Sequence, residues 1–148
     1  MRKMGLFIEE VNENNWRECV NLKVADNQRG YIEDNALSIA QSKYEPQWIP
    51  VCIYYNDKMI GFAMHGTDID NGHVWLDRFM IDKRYQGNGY GSLAIKELIK
   101  LLQSTYKCSR IYLSTTLNNK GAQKFYEQFG FRATGELECG EDVMIIDL

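Results

Sequence analysis

Residues that often bind metal ions are scarce in this sequence of 148 residues. It has two histidines, His65 and His73, and four scattered cysteines at positions 19, 52, 108 and 139. Zinc sites usually draw ligands from close pairs such as Cys-x-x-Cys, and the sequence contains no such pair. We therefore expect no metal site, and we expect the cysteines to be reduced.

An excess of basic residues and a long apolar run are also missing. Lys and Arg total 17 against 20 for Asp and Glu, which gives a net charge of −3. A nucleic-acid-binding domain usually shows a basic face, so nucleic acid is not an expected partner. No apolar run could span a membrane, and the first residues, MRKMGLFIEE, lack the apolar centre of a secretory signal. We expect a single domain over residues 1–148, located in the cytoplasm.

The spacing of apolar residues predicts a mixture of strands and helices. The predicted order is β-α-α-β-β-β-α-β-α-β-β, an α+β (mixed α/β) fold in which about four helices flank a mostly antiparallel, twisted sheet. The strands are predicted at 6–10, 48–55, 58–66, 73–82, 110–115, 131–139 and 142–147. The helices are predicted from Asn14 or Asn15 to Val24, over 28–43, from Ser92 to about residue 105, and from Asn118 or Asn119 to about residue 128.

The segment 75–91, WLDRFMIDKRYQGNGYG, is the most informative part of the chain. It joins a strand-like run to glycines at 87, 89 and 91, and a helical pattern begins directly afterwards. Such a turn directs free backbone N–H groups to one point, where the positive end of the helix dipole adds to them. The turn therefore suits a phosphate or a pyrophosphate, and glycine permits its close approach and its positive φ angles.

Two common phosphate-binding motifs do not fit this turn. A P-loop requires Lys and then Ser or Thr after its second glycine, whereas Tyr90 follows Gly89 here. A dinucleotide fingerprint requires Gly-x-Gly-x-x-Gly after the first strand of a βαβ unit, whereas this turn reads Gly-x-Gly-x-Gly in mid-chain. On spacing alone, the alternative is a glycine-rich turn that only caps a helix.

A second motif covers residues 119–131, NKGAQKFYEQFGF. Together with residues 84–89, RYQGNG, it resembles the GNAT superfamily of acyl-CoA-dependent N-acyltransferases. That superfamily's pattern is Arg/Gln-x-x-Gly-x-Gly/Ala, a helix, a strand, and a helix with Asn…Ala…Tyr…Gly-Phe. The resemblance covers nearly the whole chain. Residues 73–91, 106–114, 125–131 and 135–137 are similar to bacterial spermine/spermidine acetyltransferases, and Asp77 falls where animal polyamine acetyltransferases carry an acidic residue.

The resemblance implies transfer of an acetyl group from acetyl-CoA to a primary amine, most closely a polyamine, without a covalent enzyme intermediate. It also implies that the strand at 79–81 splays from the strand at 111–114, so that CoA fills the gap. The pyrophosphate would lie on the amides of the turn, and the pantetheine would pair with strand 79–81. The implied CoA-binding residues are Phe79, Met80, Ile81, Arg84, Gln86, Gly87, Asn88, Gly89, Tyr90, Gly91, Asn119 and Tyr126.

The chemistry of amine acetylation adds further requirements. An alkyl ammonium resembles the lysine head group, with a pKa of about 10.4, so a base must remove its proton before it attacks. Asp77 is the first candidate and Glu33 the second, and a carboxylate would also hold the cation. A backbone N–H near Met80 would stabilise the oxyanion, and Tyr126 would protonate the leaving thiolate.

Two alternatives stay open at this point. The acceptor could be another amine, such as a protein N-terminus, an amino acid or an aminoglycoside. The chain could also bind CoA without catalysis, as a regulatory protein. A homodimer formed through the C-terminal strands is expected by resemblance only.

Overall fold

The computed structural model describes residues 4–25 and 33–148. Within these ranges lie seven strands, four α-helices and one 3₁₀ turn, Lys83–Tyr85. No described helix is both long and apolar enough to cross a membrane. The strands are β1 (Leu6–Glu10), β2 (Trp48–Tyr55), β3 (Lys58–Thr67), β4 (Val74–Ile81), β5 (Arg110–Thr115), β6 (Arg132–Glu138) and β7 (Glu141–Asp147). The helices are α1 (Trp16–Val20), α2 (Asn35–Tyr44), α3 (Tyr90–Tyr106) and α4 (Lys120–Glu127).

All seven strands form one sheet in the order β1-β2-β3-β4-β5-β7-β6. Neighbouring strands pair antiparallel except β4 and β5, which are parallel. The β4–β5 ladder contains a single pair of residues, Trp75 and Tyr112. Beyond that pair the two strands separate, which leaves a gap in the middle of the sheet.

Two of the buried apolar clusters lie on opposite faces of the sheet. Adjacent residues of β3 divide between them, since strand side chains alternate between faces: Ala63 joins the cluster that contains Leu98 of α3, and Met64 joins the cluster that contains Cys19 of α1. The aromatic residues of α4 pack against the first cluster. Helix α3 therefore lies on one face of the sheet, and α1 lies on the other.

The predicted fold class and the order of elements are confirmed, and three strands have the predicted bounds. Helix α1 ends at Val20, before the predicted Val24. Beyond it, the N–H of Lys23 donates to Oδ2 of Asp82, and the carbonyl of Lys23 accepts from the N–H of Lys83, just after β4. Asn15 occupies the N-cap position without capping through its side chain, which instead accepts a hydrogen bond from the N–H of Asn12.

Two other helix starts differ from the prediction. Residues 28–32 of the predicted second helix lie outside the described residues, and α2 begins at Asn35. Helix α3 begins at Tyr90, two residues before Ser92, because Gly89 takes the N-cap position with a φ of 80°. Gly91 consequently lies inside the helix rather than in the turn.

Candidate active site

The gap between β4 and β5 opens into a cleft of about 1310 Å³. It runs from the turn before α3, past the diverging strands, to the loops at the far end of β4. Arg84 and Asn88 are the two predicted site residues that do not line it. The predicted residues that do line it are Glu33, Asp77, Phe79, Met80, Ile81, Gln86, Gly87, Gly89, Tyr90, Gly91, Asn119 and Tyr126.

The turn before α3 leaves open space beside its glycines. Gly87 and Gly89 have φ angles of 81° and 80°, and a Cβ added at either position would meet no heavy atom within 4 Å. Helix α3 has no side-chain N-cap, and its first intrahelical hydrogen bond runs from the N–H of Leu93 to the carbonyl of Gly89. The preceding N–H groups of the helix are therefore open to an anion.

Side chains around this turn brace it from outside. Asn88 donates from Nδ2 to the carbonyls of Tyr85 and Gln86 at 3.1 and 3.2 Å. Arg84 is 60% exposed and donates from Nε to Oδ1 of the buried Asp82 at 2.8 Å. These contacts account for the absence of Arg84 and Asn88 from the cleft wall.

Antiparallel pairing determines which backbone groups of β4 face the gap. The N–H of Asp82 donates to the carbonyl of Ile60 in β3 at 2.7 Å. Successive residues of a strand point their backbone N–H and C=O groups to opposite sides. The backbone groups of Met80 therefore also face β3, whereas those of Phe79 and Ile81 face the gap. The carbonyl of Ile81 already accepts a hydrogen bond from Nε2 of Gln86 at 2.9 Å. The N–H groups of Phe79 and Ile81 and the carbonyl of Phe79 are thus directed toward a ligand in the gap.

Tyr126 reaches the cleft from α4. Asn119 caps this helix, because its Oδ1 atom accepts a hydrogen bond from the N–H of Ala122 at 3.2 Å. This bond fixes where the helix begins. The Tyr126 ring packs edge-on against Phe125 and Phe131, with centroid separations of 5.3 and 5.7 Å. Burial raises the pKa of the Tyr126 phenol above its ordinary value, so the hydroxyl carries its proton at neutral pH.

Asp77 occupies an irregular position in β4. Leu76 pairs with His65 and Arg78 pairs with Met64, so Asp77 is an extra residue without a partner in β3. Such a bulge redirects a side chain. Burial raises the pKa of the Asp77 carboxyl, the Arg78 guanidinium partly opposes that rise, and the carboxylates of Glu141 and Glu45 add to it.

Four acidic side chains that no sequence pattern had indicated also line the cleft, namely Glu45, Asp68, Glu138 and Glu141. Ser114 holds Glu141 by donating from Oγ to Oε1 at 2.7 Å. Arg78 is the one basic side chain among the described residues of the lining. Within residues 4–25 and 33–148, no group of His, Cys, Asp or Glu is arranged to hold a metal ion. The cleft therefore offers a strongly acidic environment to its ligand.

Comparison with known proteins identifies the family. Residues 8–131 match the sequence model of the acetyltransferase (GNAT) family. The chain belongs to this family. This GNAT protein is 43% identical to the spermine/spermidine N(1)-acetyltransferase of Bacillus subtilis strain 168, over 98% of this chain and 100% of that protein. As a GNAT enzyme it is an acetyl-CoA-dependent N-acetyltransferase, with acetyl-CoA as its co-substrate.

Solved structures confirm the GNAT fold. The PaiA N-acetyltransferase of Thermoplasma acidophilum, in complex with coenzyme A, superposes with a TM-score of 0.71 at 13% identity and covers 98% of this chain and 100% of its own. The ribosomal-protein-S18-alanine N-acetyltransferase of Escherichia coli superposes with a TM-score of 0.70 at 19% identity and covers 96% and 93%. At such identities the likeness concerns the fold alone.

Proposed function

We propose that this enzyme acetylates a primary amine of a polyamine such as spermidine or spermine. The observation that carries the proposal is the set of carboxylates around the cleft. Among the lining residues that the structure describes, they face one basic side chain, Arg78, which is already paired with Asp77. A polyamine carries several ammonium groups separated by methylene segments, so it suits carboxylates with apolar surface between them. Trp48 and Trp75 supply such surface in the same cleft, and the curated relative that is 43% identical carries a polyamine activity in its name.

For the co-substrate, we propose a placement along the diverging strands. The pyrophosphate of CoA lies on the amides from Gly87 to Ser92, where the dipole of α3 favours negative charge. The pantetheine pairs with the N–H of Ile81 and with the carbonyl of Phe79. This places the thioester deeper in the gap, beside Asn119 and Tyr126.

The proposed reaction is direct attack of the amine on the thioester. Asp77 accepts the proton of the substrate ammonium, and the free amine forms a bond to the thioester carbon. The N–H of Phe79, which the pantetheine leaves free, stabilises the resulting oxyanion. As the C–S bond breaks, Tyr126 gives its proton to the sulfur and recovers one from the nitrogen. The products are the N-acetylamine, CoA and the proton held by Asp77.

Glu33 is the second candidate base, and its exposed position at the cleft rim assigns it a different role in this proposal. An exposed carboxylate near the start of α2 suits a distal ammonium group of the acceptor more than the reacting nitrogen. Under this proposal, Glu33→Gln raises the KM for spermidine, whereas Asp77→Asn lowers kcat.

A thiol-release assay with acetyl-CoA tests the proposal. The acceptors are spermine, spermidine, putrescine, amino acids, aminoglycosides and peptides, each at the same series of concentrations. We expect the highest kcat/KM with spermine or spermidine. Turnover with peptides alone would reject the polyamine acceptor, and CoA binding without any amine-dependent release of thiol would indicate a regulatory protein.

We propose also that the enzyme acts in the cytoplasm as a homodimer. Strand β6 lies at one edge of the sheet, and its Leu137 is 59% exposed, which suits pairing through the C-terminal strands. All four cysteines are free, as a reducing compartment requires. Sedimentation equilibrium of the full chain at micromolar concentration tests the dimer, and a mass of one chain would reject it.

A further inference from the structure

Arg78 makes an unusual set of contacts with its neighbour in the chain. Its Nη1 atom donates both to the backbone carbonyl of Asp77, at 3.2 Å, and to the Oδ2 atom of the same residue, at 2.5 Å. Its Nη2 atom donates to Oε1 of Gln41 on α2 at 3.4 Å. The guanidinium thus connects the irregular residue of β4 to the helix beside the acceptor end of the cleft.

This pairing depends on the bulge in β4. Consecutive side chains of a regular strand point to opposite faces of the sheet, so neighbouring Asp and Arg residues do not ordinarily meet. Asp77, unpaired with β3, turns out of the alternation and meets Arg78. The two side chains are only 24% and 19% exposed, so solvent screens their attraction less than it would screen a surface pair.

Within residues 4–25 and 33–148, the other charged groups that act on Asp77 are acidic. Glu141 approaches from β7, and Glu45 approaches from the segment after α2. Without the guanidinium, a partly buried carboxyl facing two carboxylates would favour its neutral form. A protonated Asp77 could not accept the proton of the substrate ammonium.

We propose that Arg78 is a positioning residue that keeps Asp77 ionised and aimed into the cleft, with Gln41 bracing the guanidinium from α2. The inference rests on the proposed function, in which Asp77 is the base.

Arg78 also acts after each turnover. Once Asp77 has taken a proton, Arg78 has lost its anionic partner, and restoring that pair favours release of the proton to solvent. Paired with Asp77, Arg78 adds little repulsion toward a cationic acceptor.

The pH dependence of kcat/KM for spermidine, at saturating acetyl-CoA, tests this role. An opposite charge at contact distance lowers a carboxyl pKa by about 1–3 units. We therefore expect Arg78→Gln to move the acidic limb of the profile upward by about one pH unit or more, with the KM for acetyl-CoA unchanged. Arg78→Lys, which keeps the charge, should leave the limb near its wild-type position. Arg132→Gln, which removes an exposed arginine that does not line the cleft, serves as the control.

A double-mutant cycle separates action through Asp77 from a general structural effect. We expect Arg78→Gln to lower kcat/KM about tenfold in the wild-type background at a pH well down the acidic limb, where a one-unit shift changes the ionised fraction of Asp77 tenfold, and to have little further effect in Asp77→Asn. An unmoved acidic limb, or equal losses in both backgrounds, would overturn the inference. An inactive wild-type enzyme would instead overturn the proposed function.

If Arg78→Gln does not yield folded protein, Arg78→Lys decides the question. Lysine cannot reproduce the fork that contacts Asp77 and Gln41 together. We expect its kcat to fall several-fold with an unchanged KM for acetyl-CoA, and a kcat equal to that of the wild type would overturn the positioning role.

Discussion

At the scale of single residues, the Tyr126 hydroxyl is the group whose removal is most informative. Tyr126→Phe keeps the ring that packs against Phe125 and Phe131 and removes only the proposed acid. Since general acid catalysis typically contributes about 10²–10⁴-fold, we expect kcat to fall about a hundredfold with spermidine. The KM for acetyl-CoA and the unfolding temperature should stay at wild-type values. An unchanged kcat would assign protonation of the thiolate to another group or to water.

The site residues differ in how far the sequence could predict them. Gly87, Gly89, Asn119 and Tyr126 belong to two continuous motifs, so spacing and resemblance together place them in the cleft lining. The acidic lining comes from separate loops and from the β6–β7 hairpin, which become neighbours only after the sheet has formed. The pairing of Asp77 with Arg78 depends on a one-residue bulge, which alternation of apolar and polar residues does not reveal.

At the scale of elements, the turn before α3 allows a matched pair of substitutions. Gly89 and Gly72 have φ angles of 80° and 74°, and a Cβ at either would meet no heavy atom within 4 Å. Alanine at either position should therefore lower the free energy of unfolding by about 1–2 kcal/mol, through backbone strain alone. Gly89 lines the cleft and Gly72 does not.

We expect only Gly89→Ala to weaken CoA binding, because the strain shifts amides that would contact the pyrophosphate. Isothermal titration with CoA, beside thermal unfolding of both variants, measures the difference. Equal affinities in the two variants would mean that the turn is only a helix cap.

Strand β3 and helix α3 are joined by a buried polar contact that makes stability depend on pH. His65 is 3% exposed, and its Nδ1 atom lies 2.6 Å from the hydroxyl of Tyr106. Burial lowers the pKa of His65 to about 4, whereas an unfolded histidine has a pKa of about 6.5. Between these values the unfolded chain binds the extra proton, so the folded state loses stability as pH falls from about 6.5 to about 4.

The loss attributable to His65 amounts to about 3 kcal/mol at most. His65→Gln, which can still hydrogen-bond Tyr106 but does not titrate, should flatten the stability curve across this range. Urea unfolding of both proteins at a series of pH values measures the two slopes. Parallel curves would show that His65 is protonated equally in the folded and unfolded states.

At the scale of the whole molecule, the order of elements was predictable because nearly every strand and helix has its own periodicity and its own turn residues. The sequence predicts the start of α3 at Ser92, two residues after the observed Tyr90. The N-cap residue is glycine, which has no side chain to mark the helix terminus. The divergence of β4 and β5 was expected through resemblance, and no local pattern in either strand specifies it. That divergence creates the cleft, so the functional geometry depends on long-range pairing more than on any one segment.

The distribution of charge over the molecule leads to a prediction about salt. The net charge is only −3, yet carboxylates dominate the described cleft lining, so attraction for a cation is concentrated at the site. Salt screens such attraction, with a Debye length of about 8 Å at physiological ionic strength. We expect the KM to rise with sodium chloride most steeply for spermine, less for spermidine and least for putrescine, because these acceptors carry successively fewer ammonium groups. The kcat should stay constant.

Two neighbouring aspartates in the β3–β4 loop provide the matched test of this local attraction. Asp68 lines the cleft, whereas the exposed Asp70 does not, and each substitution by Asn removes one negative charge. Because the net charge changes equally, an effect of total charge would alter both variants alike. If the attraction is local to the cleft, Asp68→Asn should make the KM for spermine less sensitive to salt, and Asp70→Asn should not. Equal salt dependence in the two variants would mean that the acidic lining does not select the acceptor.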